Sequence, residues 1–238
     1  MNRIVIMFMF LLTISAGADL QSLSSTESSS FSSNFNNQDT LKERQILYNG
    51  ILFKNKFLRI DGDPYLFKNY FLPGTVSLNG RKFTNLKIRY DIFTDELMIP
   101  INLSDILQLN KEMVDSFTIN FENKVYKFIK FPEDTLKKFG GYLNELYKVK
   151  SALYVKYKKS ISTNITDKSD GEFMQIQKIY FVKDDIIYPI TSLHNLLKII
   201  NKDEMQIKTF IRENKLRVSS KMPESFIPVI RYYDSLSQ

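Results

Sequence analysis

Apolar and polar residues alternate with a period of two through much of the chain between residues 75 and 190. In residues 86–92, apolar side chains occupy every second position, with Lys87, Arg89 and Asp91 between them, which predicts a strand with one buried and one solvated face. Asn79-Gly80 separates two shorter apolar runs, and this pair is typical of a type I′ hairpin turn. The pattern therefore predicts antiparallel strands joined by tight turns.

The same alternation predicts the rest of a sheet. Residues 97–101 form a short apolar run, and two further hairpins are expected over residues 117–131 and 176–190. Gly140-Gly141 interrupts the pattern, and residues 148–158 then alternate as one strand.

After Ile190 the apolar period changes from two to about 3.6, which is the period of a helix. Thr191 or Ser192 is the expected N-cap of a first helix, Asp203 begins a second, and a third begins near Ser225. Their apolar stripes are Leu193, Leu196, Leu197 and Ile200; Ile207, Phe210 and Ile211; and Phe226, Val229, Ile230 and Tyr233. The predicted fold class is α+β: a mostly antiparallel sheet of hairpins, then a C-terminal cluster of short helices.

The first eighteen residues have the order of a secretory signal peptide. A positive charge at Arg3 precedes residues 4–14, an uncharged run in which ten of eleven residues are apolar, and Ala16 and Ala18 form the small-residue pair before cleavage. A transmembrane helix needs roughly 18 apolar residues, so this run is too short. We expect cleavage between Ala18 and Asp19; a buried N-terminal helix or an uncleaved anchor is the alternative.

A polar segment follows the predicted cleavage site. Residues 21–38 contain eight serines, several asparagines and almost no apolar residues, so they cannot bury enough surface to offset the entropy of ordering. We predict a disordered linker over residues 19–40 and a single α+β domain over residues 41–238.

The chain contains no cysteine, which excludes disulfides, thiolate metal sites and cysteine catalysis. Since a eukaryotic secreted domain of this size would be expected to carry disulfides, this favours a bacterial envelope protein, periplasmic or at the cell surface. The net charge of +7 could suit nucleic acid, anionic glycan or anionic lipid. An exported protein seldom meets nucleic acid, and a solvated lysine-rich surface is the simpler interpretation.

Two groups of residues are candidate sites. Asp91, Asp95 and Glu96 cluster at a strand end and could supply the paired carboxylates of a glycoside hydrolase, although acidic residues are common there. The second group is a possible anion-binding face on the predicted strand over residues 148–158, formed by Lys148, Lys150, Lys156, Lys158 and the interleaved Tyr154. Lysines on a sheet edge also prevent aggregation, and this is the favoured interpretation.

The remaining polar features indicate no cofactor or metal. His194, the only histidine, lies off the apolar stripe of its helix and is expected to face solvent. Asp61 and Asp63 flank Gly62 in a turn without the further ligands of a calcium loop, so an Asx-type turn is expected. The glycine motifs of phosphate and dinucleotide sites are absent from the sequence.

Four groups of motifs are spread along the chain. They are Leu47-Tyr48-Asn49-Gly50; residues 74–80 leading through Asn85-Leu86 to Arg89-Tyr90-Asp91 and Asp95-Glu96-Leu97; Gly140-Gly141-Tyr142 with Glu145-Leu146-Tyr147; and Tyr232-Tyr233-Asp234-Ser235-Leu236. Together they resemble a family of uncharacterised exported proteins common in Bacteroidota. The chain departs from the family at Gly62-Asp63-Pro64, where relatives often have Gly-His-Pro. The resemblance implies an envelope or secreted location and no known activity. Our leading hypothesis is an exported, non-enzymatic binding or structural protein whose partner is an envelope protein or an anionic cell-surface glycan. The alternative is an envelope hydrolase that uses Asp91, Asp95 and Glu96.

Overall fold

A computed structural model describes residues 45–67, 69–132, 140–163 and 169–236. All of them belong to one compact unit, residues 42–238. The predicted signal peptide, residues 1–18, and the predicted linker, residues 19–40, lie outside the described residues.

Twelve strands and three bounded α-helices lie in the described part of the chain, where residues 45–47 are also helical. The strands are β1 (Gly50–Leu52), β2 (Ile60–Asp61), β3 (Leu72–Leu78), β4 (Arg81–Asp91), β5 (Glu96–Pro100), β6 (Ile106–Leu109), β7 (Val114–Phe121), β8 (Lys124–Phe131), β9 (Gly141–Lys148), β10 (Ala152–Ser162), β11 (Gly171–Lys183) and β12 (Ile186–Ile190). The helices are α1 (Leu193–Ile200), α2 (Glu204–Glu213) and α3 (Ile227–Leu236), with single 3-10 turns before α2 and α3.

The strands form one sheet in the order β1-β6-β5-β4-β3-β7-β8-β9-β10-β11-β12. Neighbours in this order are antiparallel, and β2 adds a short parallel pairing to β11. The α+β class is therefore confirmed, with a correction to the expected meander of hairpins. Sequence neighbours pair from β3 to β6 and from β7 to β12. In addition β3 pairs with β7 and β1 with β6, so the N-terminal strands extend one large mixed sheet.

Three hairpin turns agree with the sequence. Asn79 and Gly80, Glu122 and Asn123, and Asp184 and Asp185 each have positive φ at both central positions, as a type I′ turn requires. Their backbone twist matches that of the strands they join.

One predicted strand is wrong in its extent. Residues 148–158 do not form a single strand, because β9 ends at Lys148 and the chain reverses through residues 149–151 before β10 begins at Ala152. Four strands lie in regions where no strand was predicted: the short β1, β2 and β6, and the eight-residue β9.

The helices pack on one face of the sheet and complete its core. Leu196, Ile207, Phe226 and Ile230 are almost fully buried in the same cluster as Val76, Phe117, Phe128 and Phe181 from the strands. Ser192 is the N-cap of α1, since its hydroxyl accepts a hydrogen bond from the Asn195 N–H at 3.2 Å. None of the helices in the described ranges is long and apolar enough to cross a membrane.

The end of β4 is buried on both faces, which the alternation did not predict. Ile88 and Tyr90 face the main core, but Arg89 and Asp91 are buried too. The segment that contains Tyr65 and Leu66 lies against this strand, where the Leu66 N–H donates to the Tyr90 carbonyl at 3.0 Å.

Candidate functional site

The turn between β4 and β5 lies against β10, far along the sheet from its own strands. β9 pairs with β10 only as far as Val155, so the edge of β10 beyond that residue is free for another partner. The Lys159 N–H donates to the Ile92 carbonyl at 3.2 Å and brings the turn to this edge. The last residue of the turn, Asp95, adopts a left-handed φ of 63° and points its carboxylate between β9 and β10.

Four side chains meet there and are called the Asp95 cluster: Asp95, Tyr90, Lys111 and Lys156. Asp95 Oδ1 accepts a hydrogen bond from Lys156 Nζ at 2.8 Å and another from the Tyr90 hydroxyl, while Oδ2 lies 3.0 Å from Lys111 Nζ. The Tyr142 N–H also donates to Oδ2, at 3.4 Å. One carboxylate therefore joins β4, β9, β10 and the turn before β7.

A glycine is required beside this carboxylate. Gly141 has a φ of +85°, and a Cβ at this position would lie 1.9 Å from Asp95 Oδ2 and 2.7 Å from Lys156 Nζ. The close approach of the two strands and the side chains explains why Gly141 interrupts the apolar pattern.

Opposing effects set the protonation of the Asp95 cluster. Burial works to raise the pKa of Asp95, but Lys156, Tyr90 and Lys111 together hold it below its usual value. Burial lowers the pKa of Lys156, and Asp95 partly restores it. Burial, with Asp95 nearby, raises the pKa of Tyr90 well above 10. An ionised carboxylate between two cations is thus the favoured state at neutral pH.

The three predicted carboxylates have different environments. Asp91, only 1% exposed, accepts hydrogen bonds from the Phe93 and Thr94 N–H groups and fixes the turn. It lies opposite Glu96 in the β4–β5 pair. Burial raises the pKa of both groups. At Asp91 the N–H groups of Thr94 and Phe93 act against this effect, and at Glu96 the Thr94 side chain does. Asp95 is engaged by the two lysines, so Asp91 and Asp95 both have structural roles.

The structure also separates the predicted anion-binding residues. Lys148 and Lys150 lie at the β9–β10 turn, whereas Lys156 is in the Asp95 cluster. Tyr154 is buried in a small second cluster with Leu143, Ala152 and Tyr180, and burial raises its pKa to about 12. Lys158 is exposed on β10. Lys156 and Lys158 share one face of β10, whereas Lys148 and Lys150 lie outside that strand, so the four lysines do not form one row on a single strand.

A second polar group is buried on β4 and was missed by sequence reasoning. Arg89 is 8% exposed, and its guanidinium carbon lies 4.0 Å from the ring centre of Tyr65, 4.6 Å from that of Phe71 and 6.0 Å from that of Phe53. These four residues are called the Arg89 site. Aromatic faces stabilise a cation by about 0.5–2 kcal/mol each, in part replacing its lost hydration.

The hydrogen bonds of Arg89 are incomplete within the described residues. Nη1 donates to Asn69 at 3.1 Å and Nη2 contacts the Met98 sulfur at 3.8 Å, but Nε has no partner. Burial lowers the pKa of Arg89, and Tyr65, Asp63 and Asp91 act against that effect. In the sequence, Arg89 occupies a polar position of an alternating strand, so nothing local distinguishes it from a solvated arginine.

A third buried charge joins the helices to the sheet. Asp234 of α3 accepts hydrogen bonds from the Tyr147 hydroxyl at 3.0 Å and from the N–H groups of Lys150 and Ser151 at 3.2 and 3.1 Å. This carboxylate fixes the β9–β10 turn against the last helix.

The minor candidates have the structural roles expected for them. His194 is exposed. Asp63 accepts a hydrogen bond from the Tyr65 N–H at 2.8 Å, as in an Asx-type turn, and Lys159 Nζ lies 3.1 Å from the same carboxylate oxygen. No group of three potential metal ligands occurs in the parts of the chain that the structure describes.

Neither family models, curated proteins nor solved structures match this chain.

Proposed function

We propose that this chain is an exported, non-enzymatic binding protein of the bacterial envelope that receives an extended, acidic segment of a partner protein along β1. Export is supported by the order of charge, apolar run and small residues before Asp19. The binding role is supported by the exposed edge of the sheet at β1.

The backbone of β1 offers hydrogen bonds to another strand. The Phe53 N–H donates to the Ile106 carbonyl and the Asn110 N–H to the Asn49 carbonyl, so the odd-numbered residues face β6. Peptide groups alternate in direction along a strand, and those of Gly50 and Leu52 therefore point away from the sheet. Within the described residues β1 is the last strand on this side.

The side chains of β1 are apolar and exposed, which is unusual for a free edge. Ile51 is 63% exposed and Leu52 60% exposed, one on each face of the sheet. Natural edge strands are normally protected by charge, proline or a covering segment. The opposite edge, β12, has such protection, since Pro189 lies within it.

The charge beside β1 indicates the chemistry of the partner. Lys54 and Lys56 follow the strand directly and both are exposed. An extended segment paired to β1 would reach these lysines, and acidic side chains on it would be attracted. Strand addition of this kind takes affinity from the main chain and specificity from the flanking side chains.

The export part of the proposal is tested by mass spectrometry of the protein purified from its native host. The mature chain is expected to begin at Asp19. Intact Met1 in the exported fraction, or a cell-retained protein with no processed form, would contradict it.

The binding part is tested by photo-crosslinking in the native host. Benzoylphenylalanine at position 51 is expected to give one discrete adduct with another protein, and Leu52→Lys should reduce that adduct at least tenfold. Position 149 is a matched control, because Val149 is 69% exposed and lies at a turn distant in sequence from β1.

A synthetic peptide of the cross-linked segment provides the decisive measurement. It should slow hydrogen exchange at the Gly50 and Leu52 amides, because these groups point outward. Adducts of equal yield at positions 51 and 149, an adduct between two copies of this chain, or unchanged exchange at Gly50 and Leu52 would reject strand addition by a partner.

A further inference from the structure

The Arg89 site contains an unused hydrogen-bonding edge. Nε–H and Nη2–H lie on the same side of a guanidinium and together bind a carboxylate through two parallel hydrogen bonds. In this structure Nε has no partner, and Nη2 contacts only the sulfur of Met98. Nη1, on the other side, already donates to Asn69. The edge without an oxygen acceptor is thus the edge suited to a carboxylate.

Asp63 and Asp91, the carboxylates that affect the pKa of Arg89, accept hydrogen bonds from other groups. Asp63 accepts hydrogen bonds from Lys159 and from the Tyr65 N–H. Asp91 accepts from the N–H groups of its own turn. Neither forms an ion pair with Arg89 in the described parts of the chain. A buried cation without an anionic partner is rare, since its lost hydration is not repaid by attraction to an opposite charge.

We infer that the Arg89 site binds a carboxylate, whose two oxygens accept hydrogen bonds from Nε and Nη2. A planar carboxylate matches the planar edge of the guanidinium. A phosphate is bulkier and carries up to two charges, and Arg89 is the single cation of the site.

We place the entry route of the carboxylate ligand beside Phe53. Its ring is the furthest of the three from the guanidinium and is only partly buried, whereas Tyr65 is buried. The Phe53 N–H is bonded to the Ile106 carbonyl, and a rotation of the Phe53 side chain alone leaves this hydrogen bond intact. Arg89 pairs with Met98, Met98 with Gln108 and Gln108 with Ile51, so the site and β1 share one face of the sheet. The carboxylate can come from a free small acid or from an acidic side chain of a bound protein.

The first experiment compares the melting temperature in sodium acetate and in sodium chloride at equal ionic strength. Acetate is expected to give a saturable increase in the wild-type protein and in Arg59→Met, an exposed control. The increase should be absent in Arg89→Met, which keeps a long apolar side chain between the rings. An equal increase in Arg89→Met would overturn the inference.

A second measurement uses the wild-type chain alone and so stands if Arg89→Met does not fold. The Arg89 Nε–H group is buried, and its NMR resonance should shift as acetate is added. A capped glutamate-containing peptide forms the second arm: a shift with the peptide but not with acetate identifies a protein side chain as the source. No shift with either ligand would refute the carboxylate site, whatever the outcome at β1.

Discussion

A chain that ends at Ile190 is expected to lose cooperative unfolding and to aggregate. The three helices and the 3-10 turn before α3 place Leu196, Ile207, Phe226 and Ile230 in the core of the sheet, and their removal would expose that whole face to water. Helices of eight to ten residues are too short to be stable alone, so their docking on the sheet stabilises both. Circular dichroism melting and size-exclusion chromatography of the truncated chain measure the effect.

Single substitutions test the same prediction quantitatively. Phe226→Ala removes a fully buried ring and is expected to cost about 3–5 kcal/mol of unfolding free energy. Met205→Ala on α2 is the matched control; Met205 is 82% exposed, and a change below about 0.5 kcal/mol is expected. A monomeric truncated chain with an intact thermal transition would show that the helices are not needed by the sheet.

Replacement of Asp95 by asparagine is expected to have the second large effect. The substitution keeps the shape of the side chain but leaves Lys156 and Lys111 without their anion, in a cluster where Lys156 is largely buried. Removing one partner of a buried pair costs about 3 kcal/mol, which corresponds to a melting temperature lower by roughly 10 °C in a domain of this size. Lys156 should then titrate at a lower pKa still, because Asp95 is what raises it.

The pH dependence provides an independent test of the same interaction. Asp95 has a folded-state pKa below its usual value of 3.8, so its contribution is complete above pH 3.8 and is lost as the pH falls through the folded pKa. The stability difference between wild type and Asp95→Asn should therefore be constant from pH 7 to pH 5 and shrink below pH 3.8. Urea unfolding at a series of pH values measures it.

Asp170→Asn is the matched control for Asp95. Asp170 pairs with Arg59 at 2.9 Å, but both side chains are at least half exposed, and such surface pairs contribute little. If the two substitutions have equal effects, the Asp95 cluster is a solvated ion pair and not a structural centre of the sheet.

Local sequence patterns were sufficient to predict the hairpin turns and the C-terminal helices. Asn79-Gly80 forms its hairpin because positive φ at both positions costs these residues little, and Ser192 caps α1 as expected. These elements depend on neighbours in sequence. The order of the strands does not, because the pairing of β3 with β7 and of β1 with β6 is decided by which apolar faces meet in the folded sheet.

The buried charges were less predictable for the same reason. Arg89, Asp91 and Lys156 occupy positions of an alternating strand that normally face water. They are buried because distant segments cover them: residues around Tyr65 over β4, and the turn at Asp95 over β10. The alternation within one strand cannot predict that a distant segment will pack over its polar face. Gly141 was a local sign of the Asp95 cluster, because it interrupts the apolar alternation, but the sequence did not show the reason for the interruption.

The position of the Asp95 turn also determines when its contacts can form during synthesis of the chain. A ribosome adds roughly 5–20 residues per second, and domains fold from the N-terminus as they emerge. Two of the groups that bind Asp95 lie 47 and 61 positions further along, at Tyr142 and Lys156. For roughly 3 to 12 seconds after Asp95 is made, its binding partner on β10 does not yet exist. During that interval the β3–β4 hairpin can close, but the turn after β4 stays solvated and open to chaperones or proteases.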